Sequence, residues 1–419
     1  MLEYIRKLWK IDDLRKKIIY TFGMLLLFRL VGCIPAPGID VQAVKAGTAS
    51  NGLLDLMNMM TGGAMSQMTI MAMGISPYIN SSIIMQLLCI ALPVLERMQQ
   101  EEGGREKINR ISRYVTVALA VIQAIGLSNG LGYAKDGAWN NILIGVSMAG
   151  GTALAMWIGE RITDKGIGNG ISLLIFAGIV SNLFNGIVIN GFINATSVTA
   201  VLGGVAMLAL LLVLTLVVTY VDLGERRIPL QIAKQVKGRR VYGGQNTHMT
   251  LKVIAVGVMP LIFAYSFLSF PGTIGQLVAP NSGFTTWCNS NLVNGAWVHL
   301  LLSALLIFAF TFFYSSISFD AKKQAEQLQQ QGATIPGRRG KDIASFLQRT
   351  TNRLNLFAAL FLAVLAAIPT LMLRFTGTQV PFAASSMLIA VSVSLETMRT
   401  IKGEMAIRGI ESDKDNGFM

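Results

Sequence analysis

Few residues of this 419-residue sequence have both the type and the spacing for chemistry. The two histidines stand apart: His248 lies in a polar stretch, and His299 lies beside Trp297 at the start of an apolar run, where an interface side chain is expected. Neither sits in the nucleophile–base pairing that a membrane-embedded hydrolase needs. The three cysteines, Cys33, Cys89 and Cys288, are odd in number and scattered, which fits packing better than a disulfide framework or a zinc site. A glycine-rich phosphate loop ending in Lys-Ser or Lys-Thr is absent, so the chain is not expected to hydrolyse nucleotides itself. Essentially one charged residue lies well inside a long apolar run, Arg29, a few residues before the break Pro35-Ala36-Pro37-Gly38. Such a residue is a functional candidate by default; snorkelling to the interface or capping helix carbonyls is the expected role.

The elements that must position these residues are membrane spans. Charged residues make up 14% of the chain and hydrophobic ones 53%, against about 25% charged in an ordinary soluble domain. A spanning helix needs about 20 mostly apolar residues, and ten segments qualify: about 18–35, 68–95, 114–133, 139–158, 171–190, 198–221, 253–274, 296–318, 354–373 and 381–398. Of the 35 basic residues, all but Arg29, Lys45, Lys135 and Arg374 fall on one side of these spans. Positive loops stay in the cytosol, so both termini are expected there, and the net charge of +13 reads as topology and not as nucleic-acid binding. The first 20 residues alternate basic and apolar side chains without a small-residue cleavage site, which reads as an amphipathic cytosolic lead-in.

Two features depart from a plain bundle. Residues 53–66 (LLDLMNMMTGGAMS) are Met-rich, too short to span and end near Gly62-Gly63; they fit equally an ordinary surface helix or a segment folded back into a protein-lined cavity. Ten spans also divide five and five near the Asn/Gly-rich stretch 185–197, and an odd number per half makes the halves inverted. Within span two, Gly74, Pro77, Ser81, Ser82 and Gln86 suggest packing and interhelical hydrogen bonds. The run Gly166, Gly168, Gly170 at the start of span five suggests close helix approach.

Six blocks carry a family resemblance: RLVGCIPAPGID (29–40), GISPYINSSIIMQLL (74–88), ITDKGIGNGISLLIFAGI (162–179), ERRIPLQIAK (225–234), GGQNTHMTLKVIAVGVMPLIFA (243–264) and GATIPG (332–337). In this order, and over nearly the whole chain, they resemble the SecY family, channel subunits of the bacterial Sec preprotein translocase. The resemblance implies an all-α membrane protein of ten transmembrane helices in two inverted halves, 1–190 and 191–419, with a short re-entrant plug helix at about 53–66. An hourglass pore between the halves would close at a ring of Ile79, Ile83, Ile171, Ile175, Ile262 and Ile389. The pairs Ile79/Ile83 and Ile171/Ile175 are spaced i, i+4 and stack on one helix face. An aliphatic ring dewets when empty and yields to a translocating chain; without the resemblance, the same isoleucines read as lipid-facing or core residues.

By the same resemblance Leu53, Leu56, Met60, Gly62 and Gly63 belong to the plug, with the glycines as hinge, and Gln86 to a lateral gate between spans two and seven. The basic loops 222–252 and 319–353 would dock the SecA ATPase or the ribosome through Arg226, Arg227, Arg239, Arg240 and Arg339, with Arg339 taking the tip position over Arg338 according to where a gap in PGRRGK is placed. Expected partners are SecE, SecG, SecA, the ribosome, signal peptides, nascent chains and membrane lipids; no cofactor and no enzymatic activity is expected, in a bacterial cytoplasmic membrane. The sequence departs from the family pattern at Thr250 (usually Pro), Ile254 (usually Asn, a polar gate group), Asp320-Ala321 (usually Asn-Pro) and the tip PGRRGK, which lacks a second Pro. A small-solute transporter offers the same span arithmetic but predicts buried charges and leaves the long basic loops without a role. Within the family, a plastid homologue or an accessory paralogue are alternatives to the housekeeping form.

Overall fold

The computed structural model describes residues 9, 11–39, 61–65, 67–101, 103–130, 138–185, 193, 198–232, 235–237, 240–242, 246–278, 282–292, 296–337, 341–376 and 384–407. Among them the first half of the chain forms α1 (Asp12–Val31), α2 (Ser76–Ala91), α3 (Pro93–Gln100), α4 (Gly104–Gly130), α5 (Ala138–Lys165) and α6 (Gly170–Leu183). The second half forms α7 (Val198–Asp222), β1 (Glu225–Ile232), β2 (Gln235–Lys237), β3 (Arg240–Tyr242), β4 (Asn246–Lys252), α8 (Met259–Val278), α9 (Gly283–Asn291), α10 (Trp297–Ser318), α11 (Ala321–Gln330), β5 (Ala333–Thr334), α12 (Lys341–Thr376) and α13 (Ala384–Ile407).

Among the described residues four helical stretches are long and apolar enough to cross a membrane: Trp139–Lys165, Val201–Asp222, Trp297–Gln330 and Asp342–Ile368. A fifth is α2 with α3, bent by 105°. The bend sits at Leu92, whose extended backbone (ψ 111°) is what a residue before proline is pushed into. The spans expected at 171–190 and 253–274 are represented by the shorter apolar helices Gly170–Leu183 and Met259–Leu268. Burial separates two kinds of span. In α5 56% of the most apolar window is buried, because α1, α2, α4 and α6 pack around it; in α7 the share is 17%, and its remaining apolar surface needs lipid.

Two expected spans start later than their hydropathy suggests. Residues 67–75 are turns, and α2 begins at Ser76 with Pro77 in its first turn, where a missing N–H is harmless. Gly74, at φ +50°, makes the change of direction that a side chain would resist. Residues 253–258 are likewise turns before α8.

The two long polar stretches, expected as loops, instead fold together. β1 pairs antiparallel with β4 from Glu225↔Lys252 to Gln231↔Asn246, β5 adds to the end of β1 at Gln231 and Ile232, and β2–β3 form a separate hairpin. Ile228 and Leu230 alternate inward along β1 and, with Leu251, meet Ala325 and Leu328 of α11 and Leu347 of α12 in a small apolar core. The all-α expectation therefore holds for the apolar part, and the basic stretches form a mixed lobe with its own core. A period-2 pattern this short, interrupted by Pro229 and basic residues, is a weak strand signal in sequence. Asp320 caps α11 by accepting from the Lys322 and Lys323 amides at 3.0 and 3.3 Å. The departure at 320–321 thus leaves a working helix start, with Ala321 buried in the lobe core.

Candidate pore and gate

The backbone of this site is set by how α6 begins. Asn169 caps it, its Oδ1 accepting from the Ile171 and Ser172 amides at 3.1 and 3.3 Å. Thr163 of α5 accepts from the Gly170 amide at 2.9 Å, and Thr21 of α1 accepts from the Ile167 amide at 3.2 Å. A Cβ on Gly170 would collide with the Gly159 carbonyl of α5, so glycine is what lets the two helices meet. The glycine run is thus a tight helix connection tied to α1, and it fixes where Ile171 and Ile175 face. Gly170→Ala is therefore expected to cost about 1–3 kcal/mol through overpacking, read as a lower unfolding midpoint and lower abundance in membranes; an unchanged midpoint would contradict the close approach.

From that start, α6 delivers its isoleucines into one apolar cluster. Ile175 and Ile389 (α13) are buried members at 6% and 7% exposure, and Ile79 (α2), Ile171 and Ile262 (α8) pack partly buried against the same cluster. Ile83, one turn beyond Ile79, is half-buried and stands outside it. The cluster also contains Ala64, Met71 and Ile75 from the turns before α2, and Phe28 from α1. Five of the six isoleucines singled out in the sequence are brought together from four helices, with a non-helical segment among them.

That segment is laced to the turn after α1. The Ala36 amide donates to the Met68 carbonyl at 3.1 Å, the Ile70 amide to the Ile34 carbonyl at 2.9 Å, and Thr69 pairs with Pro35 as a bridge. Three of its methionines, Met65, Met68 and Met73, are buried in a second apolar cluster with Ile144 and Met148 of α5. Gly62 and Gly63 take left-handed φ of +70° and +91°. Leu53, Leu56 and Met60 lie outside the described residues.

Arg29 stands in the last turn of α1, where a cation suits the helix dipole. One guanidinium nitrogen, Nη1, donates to the Gly62 carbonyl at 3.2 Å, and Nη2 donates to the Ala177 carbonyl of α6. Of the two roles expected for it, carbonyl capping is the one the geometry displays. Sequence reasoning could not name the carbonyls, because they come from elements 33 and 148 residues away.

Gln86 is half-buried on α2. α8 packs along α4 and touches α2, so the face on which α2 and α4 meet α8 joins the two parts of the chain. Ser81 of α2 donates to the Ser112 carbonyl of α4 at 2.8 Å, the interhelical bond that the hydroxyl residues of span two suggested. Ile254 is buried at 3% with Val218, Leu261 and Ile307, so where the family pattern has a polar residue this chain has core packing.

In the basic lobe, Arg226 and Arg227 are exposed on β1 and Arg240 lies on β3; Arg239 and Arg339 lie outside the described residues. Thr250, the other departure, is an exposed β4 residue opposite Arg227. His299, expected at an interface, is buried at 3% and stacked on Tyr265 of α8 at 6.3 Å. Cys89 and Cys288 are buried as packing residues, and burial pushes the Cys288 thiol up; Cys33 is exposed and its thiol donates to the Arg29 carbonyl at 3.4 Å.

Apolar spans gathered around an aliphatic cluster, with a laced non-helical segment inside it and a folded basic lobe outside, define a polytopic helical membrane protein. Its fold is shared by solved channel structures. One described as a protein-conducting channel superposes with TM-score 0.70, covering 96% of this chain and 95% of its own at 18% identity. Another, described by the plug domain of the SecY protein that stabilises the closed channel and maintains a membrane seal, gives TM-score 0.68 with the same coverage and identity. Sec61 in the canine ribosome–channel complex from the endoplasmic reticulum gives 0.67 at 16% identity, over 96% of this chain and 95% of its own.

The chain belongs to the SecY family, whose profile, described as SecY, matches residues 69–398. It is 39% identical to the protein translocase subunit SecY of Streptomyces scabiei, over 98% of this chain and 99% of that one. It is 37% identical to that of Helicobacter pylori, over 96% and 98%.

Proposed function

We propose that this chain forms the protein-conducting channel of a bacterial Sec translocase, passing unfolded polypeptides across the cytoplasmic membrane and releasing apolar segments sideways into lipid. The observation that carries this reading is the convergence of Ile79, Ile171, Ile175, Ile262 and Ile389 from four helices on one cluster. Aliphatic side chains without a charge among them seal by dewetting and bind no particular sequence, which suits a pore for diverse chains. Ile83 completes the ring in this reading, from one turn further along α2.

Ten spans in two halves, 1–190 and 191–419, fit the packing. Within the first half α1, α2, α4, α5 and α6 pack on one another; within the second, α7, α8, α10, α12 and α13 do so. Helix packing between the halves is concentrated where α8 meets α4 and α2, and where α13 meets α6. The first of these is the lateral gate in this reading, with Gln86 on it, and residues 53–66, including Leu53, Leu56 and Met60, are the plug. The basic residues outside the spans support a cytosolic position for both termini and the lobe.

The lobe, with Arg226, Arg227, Arg239, Arg240 and Arg339, then docks SecA or the ribosome, since arginine suits both carboxylate and RNA phosphate partners. SecE and SecG complete the complex, and the driving energy comes from these partners or the proton-motive force. The chain itself works as a passive pore, not an enzyme.

The test is a secretory substrate carrying one cysteine in its middle, stalled during SecA-driven export through channels with cysteines at the six isoleucine positions. Crosslinks at Ile79, Ile171, Ile175, Ile262 and Ile389, and none at lipid-facing α7 positions such as Leu216, are expected. Crosslinks absent from all six positions, with the substrate engaged, would place the path elsewhere.

A further inference from the structure

We propose that α9 is a surface anchor of the outer leaflet: Phe284 and Trp287 lodge where lipid headgroups meet acyl chains and hold the outer end of α8 there. The inference rests on the topology of the channel reading, with the lobe in the cytosol. All five tryptophans of the chain, Trp9, Trp139, Trp157, Trp287 and Trp297, are between 47% and 73% exposed. A water-soluble fold buries most of its tryptophan surface. At a bilayer edge the ring sits in lipid while its N–H reaches the wet headgroup layer. α5 displays the spacing that such edges impose. Trp139 and Trp157 lie on one of its faces, roughly 27 Å apart, with exposed Ile142, Val146 and Leu154 between them. That is close to the thickness of a hydrocarbon core. α8 follows β4, and the 22 residues of α10 lead into the lobe helix α11. α9 joins the far ends of α8 and α10, about 30 Å from the lobe along α10, so it lies at the opposite membrane face.

The surface of α9 divides into three sectors. Thr285 and Cys288, with Leu292 at the C-cap, are buried against α8: Cys288 and Leu292 meet Leu268, and a Cβ on Gly275 would strike the Thr285 hydroxyl. Thr286 and Ser290 form an exposed hydroxyl sector, each donating to the carbonyl one turn earlier. Phe284 and Trp287 form an exposed aromatic sector. At about 100° per residue the aromatic sector falls between the other two, and α9 carries no charge. Protein, lipid and water in that order are what a helix at a bilayer surface meets. α9 also touches α10, where exposed Leu301, Leu305 and Phe308 continue from Trp297 down one face. This end of the helix pair therefore already borders lipid, and lipid is the occupant of the aromatic sector.

The experiment uses the full channel with its companion subunits in liposomes. Trp287 emission is isolated as the difference between the parent and Trp287→Phe. It should be blue-shifted, little affected by acrylamide, and quenched more by phospholipid brominated near the headgroup end of its acyl chains than near the methyl end. Cys288, covered by α9, reports on the anchoring. With Cys33→Ser and Cys89→Ser leaving it as the sole thiol, Phe284→Ser together with Trp287→Ser should speed its maleimide labelling at least about tenfold. Trp287→Phe, which keeps a ring, should label at the parental rate. Quenching by acrylamide above that by either bromolipid would put α9 in water, and quenching by none would put a companion subunit or a second copy over it; both overturn the anchor. Parental labelling in the double-serine variant also overturns it, since the lipid contact then holds nothing. If that variant does not assemble, the quenching decides. Ser290→Cys, on the hydroxyl sector, tests the topology separately: an impermeant maleimide should reach it only from outside the membrane. Labelling only from the cytosolic side overturns the topology and the anchor with it, whereas outside labelling with failed quenching overturns the anchor alone.

Discussion

Serine in place of Ile175 or Ile389 should turn a sealed channel into one that conducts ions at rest. Both side chains are almost fully buried in the cluster that gathers α2, α6, α8 and α13. Burying one such aliphatic chain is worth about 1.5–3 kcal/mol. Removing it also places a hydroxyl where water was excluded, which lowers the cost of wetting the constriction. If the closed state loses about 2 kcal/mol, the open fraction rises roughly ten- to hundredfold. Single-channel recordings in planar bilayers measure this directly, as the frequency of openings without substrate. Ile83→Ser provides the graded comparison, since Ile83 is half-buried and outside the cluster; its effect at rest should be smaller. Equal, parental conductance in the Ile175 and Ile389 variants would mean that this cluster is core packing and not a seal.

The second large effect is expected in the basic lobe. Leu347 is fully buried where α12 meets Ile228, Leu251 and Leu328. Leu347→Ala should cost about 2–5 kcal/mol, transfer and cavity terms together. The lobe core is small and distinct from the cluster that packs α8, α10, α12 and α13. The loss should therefore fall on the lobe first, as faster proteolysis between 222 and 252 and, under the proposed docking role, weaker SecA binding, while resting leak and the unfolding of the apolar part stay near parental. Leu347→Met, which conserves volume, should be nearly silent. Collapse of the whole protein in Leu347→Ala would show that lobe and spans fold as one unit, and full SecA-driven export from a proteolysed lobe would remove its docking role.

Much of this protein is legible in its sequence. The apolar runs, four or five of which form helices long enough to cross a membrane among the described residues, follow from single-residue transfer energies that add along the chain. The six motif blocks carry the family, and with it the isoleucines, without any knowledge of what they touch. Local signals that a count of apolar residues passes over stand at both ends of α2, Gly74 and Pro77 at its late start and Pro93 just beyond its end.

What folding adds is long-range pairing. β1 and β4 of the lobe are eight and seven residues long and pack against α11 and α12, far downstream in the chain, so their sequence reads as polar loop. His299 looks like an interface residue from its neighbour Trp297, yet its ring is buried against Tyr265, 34 positions earlier. Ile254 replaces a polar residue of the family pattern, and only the surrounding Val218, Leu261 and Ile307 show that it has become core. Arg29 shows the division most plainly. Transfer energy alone says that a guanidinium in an apolar run must find oxygens; that these are the carbonyls of Gly62 and Ala177 is decided by the packing of α1 against α6 and of the turn folded between them.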